Sequence, residues 1–138
     1  MNQIPETENA VVLRTDFSDD AAWKSVCAAI QKPVGDFRAH VDFVSDPAYG
    51  DLTVAQLLSL IPEGFKHSFV FVVDRATLSQ PQHPILVVDL LTEPGRTFRV
   101  IPSAMWGVEN NLTLANMDFA DFAGCVDQDG VFRGFPEM

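Results

Sequence analysis

Residues 69–74 read Phe-Val-Phe-Val-Val-Asp, and this stretch decides the predicted fold. Five consecutive apolar residues rich in Val and Phe are typical of a strand that is buried on both faces. Three further apolar runs end on aspartate in the same way, at residues 11–16, 41–46 and 85–89. Because the run at 69–73 is apolar throughout, we place it at the centre of a sheet, with the other runs around it.

The segments after the first two runs predict helices. Apolar residues recur at helical spacing as far as Ile30, and Pro33 then stops the helix. We assign the N-cap of this helix to Asp16 or Ser18, whose side chains can accept a backbone N–H. A second, short helix begins after Thr53, which is also a suitable N-cap.

The second half of the chain is less regular. The link over residues 74–84 is short and contains two prolines, so a crossover helix is disfavoured and the strand at 85–91 should return antiparallel. A fifth strand follows at 97–101. Residues 103–116 fit either an edge strand near the end of the segment or one helical turn at its start. A last helix then begins with Asn116 as its N-cap.

These elements predict one domain over residues 1–138, in which residues 1–9 fray. Residues 131–135 form a short final strand or an ordered tail. The fold class is α/β, or α+β, with a single mixed sheet of about five strands flanked by about three helices.

The composition restricts the function. The net charge is −10 and the pI is about 4.4, which argues against nucleic-acid binding and against adhesion to anionic membranes. No apolar stretch is long enough to span a bilayer, and the first residues lack the features of a signal peptide. Two widely spaced cysteines and three scattered histidines make no metal motif, so we expect a cytoplasmic protein without a cofactor.

The first candidate site consists of Arg14, Asp16, Asp46 and Asp74. If the first three strands are parallel, these aspartates gather at one edge of the sheet, where α/β proteins bind ligands. Carboxylates could hold a divalent ion there, and Arg14 could clamp an anionic group. Asp89 would lie at the opposite edge. The more common role of such aspartates is to cap turns and helices, and Arg14 could simply pair with a neighbouring acid.

The second candidate site consists of Trp106, Asn111 and Asn116. An exposed tryptophan beside amide side chains could contact a partner or line a pocket. The alternative is that Trp106 belongs to the core or covers it. The asparagines would then satisfy backbone groups of an irregular loop.

Three segments together resemble a known family. They are Arg-Thr-Asp-Phe-Ser-Asp-Asp-Ala-Ala-Trp at 14–23, Asn-Leu-Thr-Leu-Ala-Asn-Met-Asp-Phe at 111–119, and Asp-Gly-Val-Phe-Arg-Gly-Phe at 129–135. The chain resembles, over about residues 11–135, a family of small uncharacterised bacterial proteins described only as a domain of unknown function. The resemblance implies a bacterial origin and a single compact domain. It implies no established activity and no catalytic residues.

The function that the sequence favours is a cytosolic acidic binding module for a basic protein partner. In composition alone, it is similar to immunity proteins that neutralise basic toxins. One alternative is a small-molecule or metal-dependent enzyme at the strand-end aspartates, although no catalytic motif supports one. Another is a homo-oligomeric structural domain, such as a homodimer. A deep pocket around the aspartates would favour the enzyme, and an acidic face with an exposed Trp106 or Phe135 would favour the partner.

Overall fold

The computed structural model describes residues 2–135. Within them, six strands form one sheet, and they are β1 (Ala10–Arg14), β2 (Val41–Val44), β3 (Phe69–Val73), β4 (Ile85–Asp89), β5 (Thr97–Val100) and β6 (Val131–Phe132). The helices are α1 (Asp20–Gln31), α2 (Val54–Ser59), α3 (Arg75–Ser79), α4 (Met105–Thr113) and α5 (Phe119–Ala123), with 3₁₀ turns at Pro47–Tyr49 and Pro102–Ala104. The fold is therefore mixed α/β, as predicted.

The strand order is β2-β1-β3-β4-β5-β6. Strands β1, β2 and β3 are parallel, β4 is antiparallel to both of its neighbours, and β6 is parallel to β5. The central position of β3 is confirmed, and so is the antiparallel return of β4. The link between these two strands holds the five-residue helix α3, which we did not predict.

Each face of the sheet packs against its own core, because alternate residues of a strand point to opposite faces. Val12 and Phe71 point to the face that α1, α4 and α5 cover. Leu13 and Val72 point to the face that α2 and the N-terminal segment cover. Strands β1 and β3 are buried along their whole length, so the apolar run at 69–73 does lie in the centre.

The N-terminal end of the chain differs from our expectation in two respects. Residues 1–9 were expected to fray, but Ile4 is buried and its N–H donates to the Leu60 carbonyl at 2.8 Å. The N-cap of α1 is Asp19, whose side chain accepts the Ala22 N–H, and not Asp16 or Ser18. Asp16 instead lies in the turn between β1 and the helix.

The segment at 103–116 is helical, so the edge-strand interpretation is wrong. Met105, Val108 and Leu112 have helical spacing and are buried together against the sheet, whereas Leu114 is exposed. The helix α4 ends in a turn, in which the Asn116 N–H donates to the Asn111 carbonyl at 3.0 Å. Asn116 is therefore not the N-cap of the next helix.

The N-cap of α5 is Asp118. Its backbone is extended, and its N–H donates to the Asp121 carboxylate at 2.9 Å. An aspartate at this position satisfies a free backbone donor of the first helical turn, which an asparagine two residues earlier cannot reach.

Candidate functional site

The parallel strands bring Asp16, Asp46 and Asp74 to the same edge of the sheet, as predicted. Each carboxylate there accepts hydrogen bonds from its own turn. Asp16 accepts the backbone N–H and the hydroxyl of Ser18, and the hydroxyl is the main reason that the pKa of Asp16 is lowered. Asp46 accepts the N–H of Ala48 at 3.0 Å and caps the first 3₁₀ turn.

Of the three strand-end aspartates, Asp74 forms the strongest interaction, because it pairs with an arginine side chain. It is the N-cap of α3, where it accepts the Thr77 N–H at 3.1 Å, and it also receives both Nη groups of Arg99 from β5 at 2.9 and 2.7 Å. Burial opposes the charge of Asp74, but the hydrogen bonds and the charge of Arg99 outweigh it, so the pKa of Asp74 is lowered. This pair ties the end of β3 to a strand two positions away.

Arg14 is buried at the same edge. Its guanidinium carbon lies 4.3 Å from the centre of the Phe17 ring and 5.1 Å from that of Trp23. Its Nε donates to the Asp16 carbonyl at 2.9 Å, and Nη2 donates to the Asp20 carboxylate at 2.6 Å. The arginine inside β1 is thus held by internal partners.

A shallow depression of about 350 Å³ lies at this edge. Asp16 lines it, but Arg14, Asp46 and Asp74 do not. Among residues 2–135, no group of three or more His, Cys, Asp or Glu side chains is arranged to hold a metal ion. The strand-end aspartates therefore share an edge without sharing a pocket.

A larger concave surface lies at the opposite edge, beside α4, and we call it the α4 groove. It consists of three adjoining depressions of about 540, 230 and 230 Å³. His40 and Asn110 line both the first and the second, while His67 and Thr113 line both the second and the third. The depressions therefore form one continuous surface along the amino ends of the parallel strands.

Asp89 lies at this edge, as expected for the end of an antiparallel strand, and lines the third depression. Its carboxylate accepts the N–H groups of Leu91 and Glu93 at 2.9 Å each, so it holds the turn after β4.

Exposed apolar side chains concentrate around the α4 groove. Five large hydrophobic residues of the described chain are exposed, namely Val34, Phe37, Leu91, Leu114 and Phe135. Phe37, Leu91 and Leu114 line the groove. Val34 exchanges two backbone hydrogen bonds with Phe37, of 2.8 and 3.0 Å, and so belongs to the same edge.

Trp106 and Asn111 both line the first depression, so the structure brings two residues of the second candidate site together. The half-buried Trp106 stacks on the exposed Phe37, with ring centres 4.4 Å apart and an angle of 13° between the planes. Asn116 is exposed in the turn after α4 and does not line the groove.

Glu109 is, like Asp89, a buried acid of the groove, and our sequence analysis missed it. Its Oε1 accepts the backbone N–H of His40 at 2.6 Å, and its Oε2 accepts the hydroxyl of Thr113 at 2.7 Å. The His40 ring lies 3.4 Å from the same carboxylate. The sequence feature that could have revealed this buried acid is its position, because Glu109 directly follows Val108, which belongs to the apolar stripe of a helix.

The fold and the groove together define a small mixed α/β domain whose concave surface lies beside a helix. The model of the family described as "Domain of unknown function (DUF6924)" matches residues 9–135, and the chain belongs to this family. The predicted resemblance to an uncharacterised family is confirmed, while a bacterial origin stays a prediction. A comparison with curated proteins gave no match. Over residues 2–135, no helix has the length and apolar character needed to cross a membrane.

Proposed function

We propose that this protein is an acidic interaction domain that binds a basic segment of a protein partner in the α4 groove. The observation that carries the proposal is the distribution of exposed apolar residues. Among residues 2–135, four of the five large exposed ones belong to the edge that holds the groove. Single exposed apolar side chains are normal on a protein surface, but a group of them around a concave surface is typical of an interaction site.

Charge supports a basic occupant. The chain has a net charge of −10. The lining of the groove contains five acidic residues, Glu8, Asp36, Asp89, Glu109 and Asp118, and two of the opposite charge, Arg38 and Lys66. Such a surface attracts a positively charged segment during encounter and disfavours an acidic one.

The two alternatives have less support. A metal- or ligand-dependent enzyme at the carboxyl edge would need the aspartates to converge, but Asp46 and Asp74 each bond within their own loop or to Arg99. A homodimer formed through the groove would bring two acidic surfaces together, which charge repulsion opposes. We therefore expect sedimentation of the free protein to give a monomer.

Trp106 provides a direct test, because it lies in the groove and the chain has only one other tryptophan. The variant Trp23→Phe would make Trp106 the sole source of indole fluorescence. This variant should be titrated with pairs of amphipathic peptides that share their Leu and Phe residues but carry either Lys and Arg or Glu. We expect the basic peptides to change the Trp106 emission at lower concentration, and we expect their affinity to fall as salt rises.

Two surface variants complete the test. Leu114→Ser should weaken the binding of the basic peptides, because Leu114 is exposed in the groove. Phe135→Ser is the matched control, since Phe135 is exposed but packs against Phe122 and Phe132 away from the groove. Equal binding of acidic and basic peptides, or equal effects of the two variants, would overturn the proposal.

A further inference from the structure

We propose that the first depression of the α4 groove is a receptor for an arginine side chain of the partner. We call it the Phe37–Trp106 pocket, after the two aromatic residues that line it. The inference rests on the proposed function and deepens it, because it names the group that the partner would insert. Its volume of about 540 Å³ is the largest of the three depressions.

The aromatic surface suits a flat cation. Phe37 is 54% exposed although one face of its ring stacks on Trp106, so part of its aromatic surface remains available to a ligand. A guanidinium group is planar, and it stacks on aromatic rings by cation–π attraction and by dispersion. The molecule itself contains such an arrangement, since Arg14 lies against Phe17 and Trp23 at the other edge.

The polar groups of the pocket offer acceptors. The side-chain nitrogen of Asn110 lies 2.6 Å from the Trp106 carbonyl, and that of Asn111 lies 2.8 Å from the Gly107 carbonyl. A backbone carbonyl can only accept, so these nitrogens must be the donors, and the orientation of both amides follows. Their Oδ1 atoms make no hydrogen bond within the described part of the chain and remain free to accept one.

The charge of Asp36 completes the match. Asp36 is exposed beside Phe37 and forms no ion pair with another described residue. The lining of the pocket therefore contains two amide side chains with free oxygens, a carboxylate and an aromatic face. A guanidinium carries five N–H donors and no acceptor, which complements this set better than the compact ammonium of lysine. Arg38 lines the same pocket and opposes a second cation, so its removal should strengthen binding.

The test uses three small probes with the same backbone: N-acetyl-arginine amide, N-acetyl-lysine amide and N-acetyl-citrulline amide. Citrulline keeps the planar shape of arginine and lacks its charge. The indole N–H resonance of Trp106 should be followed in the Trp23→Phe variant by two-dimensional NMR. We expect a saturable shift with the arginine probe, a weaker response to lysine and the weakest response to citrulline.

Substitutions in and beside the pocket test whether the shift of the Trp106 resonance arises from binding there. Phe37→Leu keeps an apolar surface residue but removes the ring, and it should weaken arginine binding roughly two- to fivefold. Arg38→Gln should strengthen it. Val34→Ala is the control, because Val34 is exposed beside the pocket without lining it. Equal responses to arginine and lysine, or no loss in Phe37→Leu, would overturn the inference.

The outcome separates this inference from the proposed function. If basic peptides still bind the groove while the probes show no preference for arginine, the arginine pocket is wrong and the interaction domain stands. If the arginine probe binds and no basic peptide does, the pocket stands and the proposed function is wrong.

Discussion

Replacement of Asp74 by Asn separates the two roles of this side chain. Asn has the shape of Asp and keeps an acceptor for the Thr77 N–H, so the N-cap of α3 survives. The variant loses the negative charge that receives both Nη groups of Arg99 at 2.9 and 2.7 Å. The loss of stability in Asp74→Asn therefore reports the ion pair with Arg99, together with the cost of turning the Asn NH2 group toward one Nη donor.

The size of the effect follows from the exposure of the pair. The side chains of Asp74 and Arg99 are 27% and 25% exposed, so the pair lies between a surface salt bridge and a buried one. Hydrogen bonds to charged groups contribute about 1.5–3 kcal/mol when well shielded, and surface pairs contribute about 0–1 kcal/mol. We expect Asp74→Asn to lower the free energy of unfolding by about 1–2 kcal/mol. Asp74→Ala should cost about 1 kcal/mol more, because the N-cap is lost as well.

The pH dependence gives an independent check. The pKa of Asp74 is lowered in the folded protein, so the stabilisation is complete above the unfolded pKa of about 3.9 and disappears as the pH falls through the lower folded value. The difference in unfolding free energy between wild type and Asp74→Asn should thus be constant near neutral pH and shrink only in strong acid. Urea unfolding, followed by circular dichroism at several pH values, measures both quantities.

The control is Asp127→Asn. Asp127 also pairs with an arginine, Arg133, at 2.8 Å, but its side chain is 61% exposed. Its loss should change the unfolding free energy by less than about 1 kcal/mol. If the two asparagine variants prove equally stable, our account of the Asp74–Arg99 pair is wrong.

Three further predictions concern the core, the carboxyl edge and the groove. Phe122→Ala should lower the free energy of unfolding, measured with urea, by about 3–5 kcal/mol, because Phe122 is completely buried. Trp23→Ala should cost less because Trp23 is half-buried, and equal losses in the two variants would contradict this order. Millimolar Mg²⁺ or Ca²⁺ should leave the melting midpoint of the wild type unchanged, whereas a rise that Asp74→Asn abolishes would restore the metal hypothesis. Glu109→Ala should cost about 1–3 kcal/mol in urea unfolding, because the His40 N–H loses its acceptor, and Glu109→Gln, which retains an acceptor, should cost less.

The parallel half of the sheet was predictable because local signals agree there. The run at 69–73 is apolar at every position, and Thr53 and Pro33 mark helix ends in the intervening segments. The two prolines before β4 excluded a crossover helix, and the return is indeed antiparallel. They did not exclude α3, since a five-residue helix with its own capping box fits within the link.

The segment before α5 was ambiguous for a physical reason. Leu112 and Leu114 alternate as in a strand, while Met105, Val108 and Leu112 repeat as in a helix. The helical stripe of three residues buries more apolar surface than the strand pattern does, but only if the sheet provides an apolar surface for the stripe to pack against. The choice between helix and strand therefore depends on tertiary packing, and the spacing of residues within the segment carries no information about that packing.

The α4 groove could not be found from motifs, because its parts are far apart in the chain. The backbone N–H of His40 and the carboxylate of Glu109 are separated by 69 positions, yet they lie 2.6 Å apart. This bond fixes the loop before β2 against α4, and the same loop carries Phe37 onto Trp106. We therefore expect the buried acid to position the aromatic pair through this loop. If this is correct, Glu109→Ala should weaken binding of the arginine probe as well as stability, and Glu109→Gln should largely restore both.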